Sequence, residues 1–205
     1  MALSIKLLRV NKTATNQGFT LIELLVVIAI IGLLTGIVLV ALNTVRAKGR
    51  DARRVGDMKQ IINALSLYYS ANSAYPPVNP AAQGVGGWEV SYQPGFLANL
   101  TPYLAAGAKD PINKLDQGFD FFGAKAGSYF YAYYNYPASS AAYYGCAFSS
   151  SFAVIAVRQL EGGKKADTPA AMCGAQPPGG CPQGGIANTC RDWSTEYDYS
   201  VILSP

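Results

Sequence analysis

One acid, Glu23, interrupts an apolar run from Phe19 to Leu42 in which Thr20 and Thr35 are the other polar residues. A carboxylate at bilayer depth costs at least ~3 kcal/mol, so it is read as functional and in need of a cationic partner. A cut between Gly18 and Phe19 would supply one, an amino terminus four residues before Glu23. The second reactive set is Cys146, Cys173, Cys181 and Cys190. Their spacing lacks paired C-x-x-C knuckles and the chain has no histidine, so disulfides formed in an oxidising compartment are expected rather than zinc. Four cysteines pair in any of three ways, and all three stay open. Catalytic chemistry lacks its parts: there is no histidine, no Gly-x-Ser-x-Gly elbow and no phosphate-cradling Gly-rich loop. No enzyme and no catalytic residue are expected.

The elements that must position Glu23 are long. From Phe19 to Leu42 the chain can form about 36 Å of helix, enough to cross a bilayer. Before it, residues 1–18 carry Lys6, Arg9 and Lys12 with no acid and no continuous apolar stretch, and read as a cytoplasmic tail rather than an ordinary secretory signal. The cations after the span, Arg46, Lys48, Arg50, Arg53 and Arg54, outnumber those before it and argue for the opposite orientation. The four cysteines beyond the span favour keeping the leader inside. The leader holds three of the 16 cations and none of the 12 acids, so its removal leaves 13 against 12. The remaining charge is uneven, with a basic stem and a mildly acidic head. Stem cations are expected to be solvated or paired with acids of neighbouring copies, and no specific nucleic acid is expected.

Past the membrane the helical pattern continues, with Val55, Met58, Ile62, Leu65 and Tyr69 on one stripe that needs a cover. Tyr75-Pro76-Pro77 ends the helix at about Asn72. Residues 75–104 read as a long loop with a short helix. Ser128–Asn135, Ser151–Leu160 and Tyr197–Leu203 read as strands of an antiparallel sheet laid on the stripe. In the first, Tyr129, Tyr131 and Tyr133 share one face and Phe130, Ala132 and Tyr134 the other. Packing accounts for most of the 14 tyrosines; Tyr143 and Tyr144 are candidates for an exposed surface.

The segment Gly18–Leu34, GFTLIELLVVIAIIGLL, behind a short basic leader, resembles the class III signal and first helix of prepilins, the precursors of type IV pilins and of type II secretion pseudopilins. Tyr75-Pro76, Leu100–Leu104 and Lys109–Asn113 are similar to the region after the helix in major pseudopilins. The resemblance implies an α+β fold: a long N-terminal helix, half transmembrane and half amphipathic, packed on a small antiparallel sheet head. It divides the chain into a cleaved leader at 1–18, a membrane and filament-core helix at 19–42, a stem at 43–74 and a head with a disulfide-stapled C-terminal loop at 75–205. It implies cleavage after Gly18 by a prepilin peptidase, N-methylation of Phe19, and pairing of Glu23 with the Phe19 amine of a neighbour. The implied partners are identical or related subunits, the peptidase, an inner-membrane assembly platform, and the membrane before assembly. The implied location is the bacterial cytoplasmic membrane as a single-pass protein, then a cell-surface or periplasmic filament. The expected function is a structural subunit of a type IV pilus-like filament for adhesion, motility or DNA uptake. The alternatives are a secretion pseudopilin and, in another class, a single-span anchored binding protein. Major pseudopilins often hold calcium through acids of a C-terminal loop, but residues 162–190 contain only Asp167, so no metal or cofactor is expected here.

Overall fold

The computed structural model describes residues 19–104, 108–116, 127–144, 146, 148–164, 168–169, 173, 193–194 and 196–205. The chain divides between Thr44 and Val45 into two compact units. Helix α1 (Leu21–Asn72) begins in the first. In that unit every described large apolar side chain from Phe19 to Leu42 is at least 42 % exposed. The helix is long and apolar enough to cross a membrane, and in lipid a helix satisfies the backbone groups that no water can reach. Thr35 fits this setting because its hydroxyl donates to the Ile31 carbonyl at 2.6 Å.

The second unit holds the rest of α1 and an antiparallel sheet in the order β1 (Glu89–Val90), β2 (Tyr131–Tyr136), β3 (Phe152–Val157), β4 (Tyr199–Leu203). A short helix, α2 (Ala138–Tyr143), follows β2. Register pairs Tyr133 with both Glu89 and Ile155, and Ile155 with Val201. Side chains alternate across the pleat, and each face carries its own core. On one face Tyr131, Tyr133, Ile155, Val157 and Tyr199 meet Met58, Ile61, Ala64 and Leu65 of α1. On the other, Phe130, Ala132, Tyr136, Phe152 and Val154 meet Trp88, Trp193, Tyr197 and Cys146.

Three expectations are adjusted by this packing. The stripe on α1 is rotated: Met58 and Leu65 are fully buried, but Ile61 and Ala64 join them, while Val55, Ile62 and Tyr69 only flank the core. Small Ala64 admits the sheet closely, and Arg54, also fully buried, turns the helix toward the acids that hold it. Second, the region read as a loop contains edge strand β1. Third, the strands are shorter than their apolar runs, because Phe130 and Arg158 lie beyond the ladder yet still pair, the Arg158 amide donating to the Phe130 carbonyl at 2.9 Å. Helix α1 stops as foreseen before Tyr75-Pro76-Pro77, with Ser73 in the left-handed region at φ 55° and its amide on the Tyr69 carbonyl.

Candidate assembly site

At the start of α1, Thr20 and Glu23 form a reciprocal cap. The Thr20 amide and hydroxyl both donate to Glu23 Oε2, at 2.8 and 2.7 Å, and the Glu23 amide donates to Thr20 Oγ1 at 3.3 Å. A helix leaves its first amides unpaired, and Thr-x-x-Glu is the sequence form of the capping box that satisfies them. Thr20 went unread as a functional residue, although its spacing to Glu23 was the signal. The cap occupies one carboxylate oxygen; among the described residues Oε1 makes no hydrogen bond. Phe19, 89 % exposed, lies beside it and lines a shallow apolar groove with Ile22, Glu23, Val26 and Val27. The structure thus brings Phe19 and Glu23 together at one helix tip. Gly18 and the leader fall outside the described residues.

In the second unit three stem cations, Arg50, Arg53 and Arg54, stand against acids of their own chain. Arg54 Nε and Nη2 bind Asp110 through two bonds at 2.6 and 2.9 Å, and Nη1 reaches Asp51 at 2.7 Å and Glu161 at 3.0 Å. Arg50 Nε donates to Glu161 at 2.6 Å, and Arg53 stands 3.7 Å from Asp57. Burial opposes the Arg54 charge, but the hydrogen bonds and charge of Asp110, with Glu161 and Asp51, more than offset it and raise its pKa. The Tyr129 ring lies 5.0 Å from the guanidinium carbon, a distance at which the π face attracts a cation. Asp110 also accepts the amides of Ile112 and Asn113 at 2.8 and 3.2 Å. The Lys109–Asn113 segment is therefore a clamp that fixes a loop to α1. Asn113 Oδ1 accepts the Ser91 hydroxyl at 2.7 Å, which joins the same segment to the residue after β1.

Elsewhere in the head, buried Glu89 accepts the amides of Asn79 and of Leu97, the latter at 2.8 Å, and so ties two turns of the 75–104 region to β1. Burial raises its pKa, against the lowering effect of those two amides. Cys146 and Cys173 form a disulfide beneath the second core. Cys181 and Cys190, the remaining two candidates, lie outside the described residues. Tyr144, expected on the surface, is half-buried against Tyr136 and Trp193. The Tyr143 side chain is outside the described residues.

An acid held at the tip of a helix apolar and long enough to cross a membrane, with a small sheet domain further along the chain, is the architecture of a helix-anchored, pilin-like protein. Residues 14–39 match the family described as the prokaryotic N-terminal methylation motif. The chain is 30 % identical to the type II secretion system core protein G of Vibrio cholerae over 124 residues, 54 % of this chain and 85 % of the relative. It is also 30 % identical to the protein of the same name from Pseudomonas aeruginosa over 131 residues, 55 % of this chain and 89 % of that one. The Escherichia coli protein of that name is 36 % identical over 73 residues, 36 % of this chain and half of the relative. No solved structure gives a significant match. The chain belongs to the type IV pilin and pseudopilin family, as a pilin-like structural subunit.

Proposed function

We propose that the chain is a precursor whose 1–18 leader is removed after Gly18 by a prepilin peptidase, and that Phe19 is then N-methylated. The 19–42 segment waits in the cytoplasmic membrane until an inner-membrane platform moves it into a filament of identical or related subunits, with the 43–74 stem and the 75–205 head on the outside. Glu23 recognises the Phe19 amine of a neighbour. The observation that carries this reading is the half-engaged carboxylate: Oε2 is fixed by Thr20, which orients Oε1 without using it. In a low-dielectric setting an unpaired charge is costly, so that oxygen selects a cation and sets register. Leaving lipid need not expose the helix to water, because neighbouring apolar helices replace the lipid. Glu23→Ala should insert in the membrane normally and assemble poorly; normal filaments from it would refute the pairing. Mass spectrometry of the mature N-terminus should find methylated Phe19, and an intact Met1 would instead support a simple anchored binding protein.

Two external tasks fit the subunit equally. The names of the relatives favour a secretion pseudopilus. The tyrosine-rich and disulfide-bearing second core favours a surface pilus for adhesion, motility or DNA uptake. Electron microscopy separates them, since a pilus extends from the cell and a pseudopilus stays within the envelope.

A further inference from the structure

The cations of the stem fall into two sets. Arg50, Arg53 and Arg54 stand against Glu161, Asp57, Asp51 and Asp110 of their own chain. Arg46 and Lys48 are exposed, and neither has an ion pair among the described residues. The acid nearest to them in sequence, Asp51, is already engaged: Arg54 and the Glu161 amide donate to one oxygen, at 2.7 and 3.0 Å, and the Gly162 amide to the other at 2.8 Å. Lys48 also borders a groove of about 520 Å³ that Gly162, Gly163 and Thr168 help to line, so a bulky polar group can approach it from the side of that loop.

Position decides what these two cations meet. They follow Leu42, the last residue of the apolar run, by four and six residues, about 6 and 9 Å of helical rise. The headgroup layer of one leaflet is about 5–8 Å deep, and Arg and Lys have stems long enough to reach back toward it. Lys59, by contrast, comes 17 residues after Leu42, about 26 Å of rise, or roughly three Debye lengths at physiological salt.

We propose that Arg46 and Lys48 hold the headgroups of anionic phospholipids on the face of the membrane from which the head projects; the inference rests on the reading of 19–42 as a membrane segment. Arginine can grip a phosphate through two N–H bonds, and lysine meets it as a point charge. Cations just past a span also oppose an orientation with the leader inside, and anionic headgroups give them a counter-charge there. A subunit entering the filament must give these contacts up, so the same pair sets how firmly the membrane pool is held.

The test places the full chain in nanodiscs of phosphatidylethanolamine, which has no net charge, and anionic phosphatidylglycerol in equal amounts. The chain is then released into the gas phase and weighed with the lipids that stay bound. Each cation near an anionic surface adds about five-fold to binding, from ~1 kcal/mol, so wild type should prefer phosphatidylglycerol by roughly 25-fold. Arg46→Gln with Lys48→Gln should fall to within about two-fold of parity. Lys59→Gln with Lys109→Gln removes the same charge from other exposed positions of the second unit and should keep the preference. A wild-type preference below about three-fold, a preference that survives Arg46→Gln with Lys48→Gln, or equal losses in the two double variants would overturn the proposal. A chain that inserts without lipid preference sinks this proposal alone and leaves the membrane reading standing; a chain that fails to insert sinks both.

Discussion

Arg54→Met is the most informative perturbation of the head. It deletes a fully buried guanidinium and four hydrogen bonds, two of them to Asp110, whose side chain is also fully buried. Removing one partner of a buried pair strands the other and costs about 3–5 kcal/mol, whereas an exposed pair contributes ~0.2–1 kcal/mol. For a unit of this size each kcal/mol moves the midpoint by about 2–4 °C, so the expected loss is ~6–20 °C. The assay is thermal and urea unfolding of the full chain in detergent, followed by near-ultraviolet circular dichroism of Trp88 and Trp193, both buried in the second unit. Adding Asp110→Asn neutralises the stranded acid while leaving a side-chain oxygen for the Ile112 amide. The double variant should therefore be more stable than the sum of the singles by at least ~1 kcal/mol. A loss below ~1 kcal/mol for Arg54→Met, or strict additivity, would refute the assignment of Arg54 as the bond between α1 and the 110–113 loop.

Hydrogen bonds from Arg50 lower the Glu161 pKa, partly opposed by burial and reinforced by Arg54. A lowered carboxylate pKa adds stability above the unfolded value near 4.5, and that stability is lost as pH falls through the folded value. Wild type should accordingly lead Glu161→Gln in thermal midpoint at pH 7 and lose that lead progressively as pH falls below 4.5 and through the lowered folded value; Glu89, raised by burial, runs the opposite way in both chains and cancels in the comparison. Thr20→Val keeps shape but removes the cap, worth ~1 kcal/mol, so hydrogen exchange at the Thr20 and Glu23 amides should speed up about five-fold in bilayers. Cys146→Ser with Cys173→Ser opens a loop of sequence separation 27 and should destabilise the second unit by about 3–4 kcal/mol in urea titrations.

The apolar run of α1, its end at Tyr75-Pro76-Pro77, and the three long strands were legible because each rests on a local signal: hydrophobic period, proline chemistry, β-branched and aromatic runs. Glu23 was legible for the same reason, as a charge where none is cheap. Arg54 was not. It looked like one more solvated cation of a basic stem, and its burial depends on acids 56 and 107 residues away that fold onto one guanidinium. Strand β1 was hidden because its first residue is an acid, whose burial makes sense only once the Asn79 and Leu97 amides converge on it. The second core was half legible, in Phe130 and Tyr134 facing away from the helix, but Trp88 and Trp193 come from segments with no period of their own.

The clasp on α1 also has a mechanical meaning. Besides the apolar contact of α1 with the sheet, tension along the stem meets Arg50 and Arg54, one turn apart on the helix, which share Glu161 while Arg54 also holds Asp110. Bonds that share an anchor take up a load together, whereas bonds met in succession peel one at a time. A subunit drawn by its helix would therefore carry its head as cargo on a multi-point coupling, and the second unit should yield to force as one body.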